Sequence, residues 1–107
     1  MTPWPPMFPR LLPWRSPSWL KGAEGESCVR CGAQDGTVVA AHYSGSYAHE
    51  FGKGRGVKAA DHLVADLCSR CHTALDNYEG GNDDARAVEF FRCIFRTQMR
   101  RLNGGGW

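Results

Sequence analysis

The sequence predicts a small α+β domain tied by a metal staple, and three observations carry that expectation. Two Cys-x2-Cys pairs stand at Cys28/Cys31 and Cys68/Cys71, an apolar, β-branched run at 37–43 is answered by a second at 61–67, and a long amphipathic segment starts at Asp83. A chain of 107 residues holds one core, and all six prolines fall within its first 17 residues, so nearly all regular structure must come after them. A domain of that size is marginal on burial alone, which makes a staple valuable.

Composition excludes several classes. No apolar run approaches the roughly 18–20 residues of a membrane span, so no membrane association is expected. The stretch Met1–Leu20 has only Arg10 and Arg15 charged but no continuous apolar h-region and no small-residue cleavage site. No secretion signal is expected, and a cytoplasmic, reducing compartment follows, in which paired cysteines bind metal or do redox chemistry more often than they form disulfides. The net charge of +2 decides little, because the positions of the arginines matter more than their sum.

Residues 1–18 form a Pro/Trp-rich lead whose fixed φ values and missing N–H groups oppose helix and sheet; it is read as an irregular tail or a partner-binding extended peptide. The domain proper is placed at 19–107. Ser18 is a candidate N-cap for a short helix limited by Gly22 and Gly25. Thr37 to Tyr43 reads as a strand ending at a histidine, and Ser44 to Ala60 as a functional loop, with four glycines and Lys53, Arg55 and Lys58. Asp61 to Leu67 reads as a second strand that runs into a helix from about Ser69. Asp83 caps a helix through Leu102, with Val88, Phe91, Ile94, Phe95 and Leu102 as its predicted core face and Asn103-Gly104 as its stop.

Each cysteine pair places two thiolates on one turn, so Cys28, Cys31, Cys68 and Cys71 supply the four soft ligands that tetrahedral zinc prefers. The 36 residues between Cys31 and Cys68 accommodate the hairpin without strain, and a structural Zn²⁺ would hold both its ends. Cys93, inside the last helix, reads as a small apolar residue. A second cluster consists of His42 at a strand end, Asp61 before the next strand, and His72 with Asp76 one turn later on the same helical face. Antiparallel pairing of the strands would bring the two histidines to one side of the hairpin. His49 and His62 read as surface or loop residues.

At Cys28-x2-Cys31-Gly32, Ala40-Ala41-His42 and Asp66-Leu67-Cys68-x2-Cys71-His72 the sequence resembles the HNH, or ββα-metal, endonuclease superfamily, particularly small phage- and prophage-encoded nucleases with two Cys-x2-Cys pairs. The resemblance covers roughly residues 19–78. It implies a zinc-stapled ββα-metal fold with an added C-terminal helix, His42 as general base, and His72 as ligand of a catalytic divalent ion, Mg²⁺, Mn²⁺ or Zn²⁺. It also implies a bacterial host cell, with phage recombination or packaging proteins as partners. Two departures stand out: Ala41 occupies the place where the superfamily often has a metal ligand, and the central Asn is replaced, with Asp61 the nearest candidate. Asp76 and Asp61 are then the acids best placed to complete the metal site.

The residue types suit phosphodiester hydrolysis, which gains most from a cation at the scissile phosphate and a base for water. Imidazole accepts a proton near neutral pH, and a hydrogen bond to its other nitrogen would fix the tautomer, although the sequence singles out no partner for it. Phosphate contacts are expected from Lys53, Arg55 and Lys58 in the loop and from Arg92, Arg96 and Arg100, which fall on one stripe of the last helix. The expected activity is a metal-dependent endonuclease acting on nucleic acid, DNA before RNA. The alternative is a non-catalytic zinc module that binds nucleic acid or protein.

Overall fold

Two four-residue strands form the centre of the molecule. In the computed structural model, which describes residues 14–54, 56–77 and 82–104, strand β1 (Val39–His42) pairs antiparallel with β2 (Val64–Leu67). The register sets Val39 against Leu67 and His42 against Val64. Both strands are shorter than the apolar runs that predict them: the Thr37 N–H bonds to the Asp35 carboxylate and the Asp61 N–H to the Trp14 carbonyl instead of to the ladder. All four residues of β2 are buried, and β1 buries only Ala41.

Helix α1 (Pro17–Lys21) precedes the sheet. Its N-cap is Ser16, whose Oγ accepts the Trp19 N–H at 3.2 Å, and Pro17 occupies the first helical position, where a missing N–H costs nothing. The cap therefore lies two residues before the expected Ser18. The boundary drawn at residue 18 falls inside this helix, while residues 1–13 of the Pro/Trp-rich lead lie outside the described residues. The loop between the strands contains a 3₁₀ turn (Ser46–Phe51), closed by Gly52 with φ of 100°. It ends in a tight reversal in which Gly54 and Val57 exchange two backbone hydrogen bonds of 3.0 Å.

Helix α2 (Ser69–Asp76) follows β2 directly, and α3 (Asp83–Gly104) covers the sheet. The core gathers Ala41, Tyr43, Leu67, Leu75, Phe90 and Ile94, with Cys93 fully buried among them as a small apolar side chain. Tyr43 packs on Phe90 and Phe91 with ring centroids 5.4 and 4.9 Å away.

The buried face of α3 matches the predicted one only in part: Ile94 is buried and Phe91 half-buried against the core, but Val88, Phe95 and Leu102 are not. Ala87, Phe90, Cys93, Ile94, Thr97 and Arg101 point inward, whereas Val88, Phe95, Met99 and Leu102 are exposed. The polar residues explain the rotation. Thr97 Oγ1 accepts the backbone N–H of Asp66 at 3.0 Å, and Arg101 forms a fork on the Asp66 carboxylate at 2.6 and 2.7 Å. This pair is fully enclosed, so removing one partner would leave a buried charge at a cost of about 3–5 kcal/mol. Arg101 also donates from Nε to the Trp19 carbonyl at 2.8 Å, which ties α1 to the end of α3. No helix among the described residues is long and apolar enough to cross a membrane.

Candidate metal centre and histidine pocket

The two Cys-x2-Cys pairs reach one point by different local structures. The first is a knuckle: the Cys28 N–H donates to the Ala33 carbonyl at 2.8 Å, the Gly32 N–H returns to the Cys28 carbonyl at 2.9 Å, and Gly32 turns the chain with a φ of 83° that favours glycine. The second pair opens α2, where Cys68 is the N-cap and its Sγ accepts the Cys71 N–H at 3.5 Å. The four Sγ atoms lie within 4.8 Å of one another, and Cys31 and Cys68 are 3.6 Å apart. A tetrahedron of thiolates around an ion at about 2.3 Å has edges of about 3.8 Å. Cys28, Cys31, Cys68 and Cys71 are therefore positioned to hold a metal ion.

The electrostatics of the cluster fit a cation. Burial opposes ionisation of Cys28, but N–H groups of the knuckle and of α2 outweigh it and hold the thiol down at about 6. Cys71 is pushed up to about 12 by burial and by the three neighbouring thiols, against the pull of Arg30, whose guanidinium lies 3.6 Å from its Sγ. A cation among the four sulfurs would favour their ionised forms together.

On the open side of β1 lies a pocket of about 590 Å³, lined by His42, Lys53, Lys58, His72 and Asp76 with the glycine-rich reversal on its rim. The structure thus brings His42, His72 and Asp76 to one cavity, as the hairpin and the tether at Cys68/Cys71 lead one to expect. His72 Nε2 and Asp76 Oδ2 are 3.5 Å apart across one helical turn, and both side chains are substantially exposed. Among the described residues, the four cysteines are the one group of three or more metal-ligating side chains that converge.

Asp61 does not join His72 and Asp76. It is buried behind His42, and its oxygens are taken: Oδ1 is 2.8 Å from His42 Nε2 and 3.0 Å from Arg15 Nη1, and Oδ2 accepts the Ser16 N–H at 2.8 Å. The expectation that Asp61 completes a metal site is corrected here, since a carboxylate with three such partners orients the imidazole instead. This is the tautomer-fixing partner of His42 that sequence alone does not single out. Arg15 and Ser16 were likewise not anticipated; they lie in the lead segment, 46 and 45 positions from Asp61.

The basic residues divide. Lys53 and Lys58 line the pocket, with Lys53 Nζ donating to the Ser44 carbonyl at 3.2 Å, and Arg55 lies outside the described residues. Arg100 is not part of a free basic stripe, because it binds Glu26 at 2.8 Å and the Ser27 carbonyl at 2.9 and 3.0 Å, bracing the knuckle. Arg96 reaches the Val29 carbonyl at 3.2 Å, and Arg92 remains exposed beside Glu89; neither lines the pocket. His49 is exposed, whereas His62 packs on the Trp14 ring, and burial lowers its pKa against the opposing pull of Asp61. No family model matches the chain, and no curated protein or solved structure matches it.

Proposed function

We propose that the chain is a metal-dependent endonuclease of the HNH, or ββα-metal, type, hydrolysing phosphodiester bonds in nucleic acid. One observation carries the proposal: a histidine held by a buried carboxylate lines the same pocket as His72, Asp76 and two lysines. Zinc is the ion that best suits the four thiolates, and its role there is structural, with no ligand position left for substrate.

Within the pocket each group has a task that its chemistry permits. With Nε2–H donating to Asp61, His42 keeps its lone pair on Nδ1 and can take a proton from attacking water. His72 Nε2 and Asp76 Oδ2 offer one nitrogen and one oxygen donor, a set suited to Mg²⁺, Mn²⁺ or Zn²⁺. Such an ion, when bound, supplies charge neutralisation on the scissile phosphate and the leaving oxygen. Lys53 and Lys58 bring the anionic backbone to the rim without reading its bases.

The test is cleavage of plasmid, single-stranded and branched DNA, and of RNA, with Mg²⁺, Mn²⁺ or Zn²⁺ added. His42→Ala is expected to keep its fold and its cysteine-bound ion while losing cleavage by on the order of 10²–10⁴. His72→Ala is expected to lose the response to added metal without releasing that ion. A folded His42→Ala variant with full activity removes His42 from the mechanism. A wild-type chain that cleaves no substrate is left as a non-catalytic module binding nucleic acid or protein.

A further inference from the structure

Asp61 is the point where the lead segment and the pocket meet. Its backbone N–H donates to the Trp14 carbonyl at 2.8 Å, and its side chain receives the Ser16 N–H and the Arg15 guanidinium. Arg15 reaches further, donating from Nη1 to the Ala59 carbonyl at 2.8 Å and from Nη2 to the Lys58 carbonyl at 2.6 Å. One guanidinium therefore grips both the carboxylate that holds His42 and the end of the basic loop on the pocket rim.

The segment that presents Arg15 is itself anchored. Ser16 caps α1, Trp19 is buried, and its carbonyl receives the buried Arg101. Trp14 stands edge-on to Trp19 and to His62, with centroids 5.7 and 5.4 Å away. Arg15 is 42% exposed, so its ion pair adds little to global stability. Its geometric effect is larger. Without Arg15, Asp61 keeps the Ser16 N–H on Oδ2 but loses the cation beside Oδ1, the oxygen that faces His42, which weakens the preference for one tautomer.

We propose that Arg15 is a positioning residue of the pocket: the Trp14–Lys21 strap holds Asp61 so that His42 carries its proton on Nε2, and sets the Lys58 end of the loop at the same time. This rests on His42 acting as the base in the proposed nuclease.

The experiment compares the full-length, zinc-loaded chain with Arg15→Gln, Arg15→Lys and Asp61→Asn, with no second metal added, by the ¹⁵N shifts of the His42 ring. The expected result is one dominant Nε2-protonated tautomer in the wild type, a mixture in Arg15→Gln and Asp61→Asn, and recovery of most of the wild-type pattern in Arg15→Lys, with both Arg15 variants melting close to the wild type. In cleavage, Arg15→Gln is expected to lower kcat about tenfold with little change in KM, as misplacement of a group in the reaction does. An Arg15→Gln chain with the wild-type ring spectrum overturns the proposal, as does a loss of kcat matched by an equal loss in folded fraction. A wild type that cleaves nothing overturns the nuclease, and the ring spectrum still decides the role of Arg15.

Discussion

Burial alone would push the Asp61 carboxyl towards neutrality, but the His42 ring, the Ser16 N–H and the Arg15 guanidinium outweigh it and hold its pKa below the usual aspartate range. A carboxylate with a lower pKa folded than unfolded stabilises the fold above the unfolded value, about 3.9, and that contribution disappears as pH falls through the folded value. Acid should therefore weaken the wild type more than Asp61→Asn, which has no charge to lose there. Melting temperatures of both chains between about pH 5 and pH 3 check this; parallel curves would mean that Asp61 carries no net stabilisation. At the same scale, sequence offered the residue types but not their partners. His42 and Asp61 are 19 positions apart, and only the hairpin and the strap make them one unit.

Among the elements, α3 separates what periodicity reveals from what it conceals. Its length and ends follow the expectation closely, running from Asp83 to Gly104. Its inward face does so only in part: Ile94 and Phe91 pack as expected, but Val88, Phe95 and Leu102 lie outside, because the side that packs includes Thr97 and Arg101. Those polar residues belong to the core only because Asp66 on β2 is there to receive them. Chemical unfolding should read the difference directly. Ile94→Ala, in the closed core, is expected to cost about 2–5 kcal/mol, whereas Phe95→Ser, on the exposed stripe, should stay within about 0.5 kcal/mol of wild type. Equal losses would place Phe95 in a contact after all. The strands and α2 were legible because β-branched runs and the Cys68 turn signal local structure. The Asp61 bonds were not, since nothing in a proline-rich lead marks it as part of a site.

For the whole molecule, the cysteine cluster joins the Cys28–Ala33 knuckle to the start of α2; Arg100 holds the Ser27 carbonyl beside the knuckle, and Arg30, within it, reaches across to the Cys71 Sγ. Metal binding in domains this small carries roughly 10–16 kcal/mol of apparent folding free energy. Chelation is therefore expected to abolish the helical circular dichroism, with Cys68→Ser behaving likewise; a stripped chain with an unchanged melting curve would show that the core stands without its ion. The division of the ligands into two local halves has a further consequence. Each Cys-x2-Cys turn can form before the hairpin closes, and half a site is indifferent to whether its complement comes from its own chain or a neighbour's. Refolding with zinc present at high protein concentration should then yield metal-bridged oligomers, whereas dilution before zinc is added should yield monomer. Light scattering on the two preparations distinguishes them, and identical size distributions would mean that the hairpin closes before either half captures an ion.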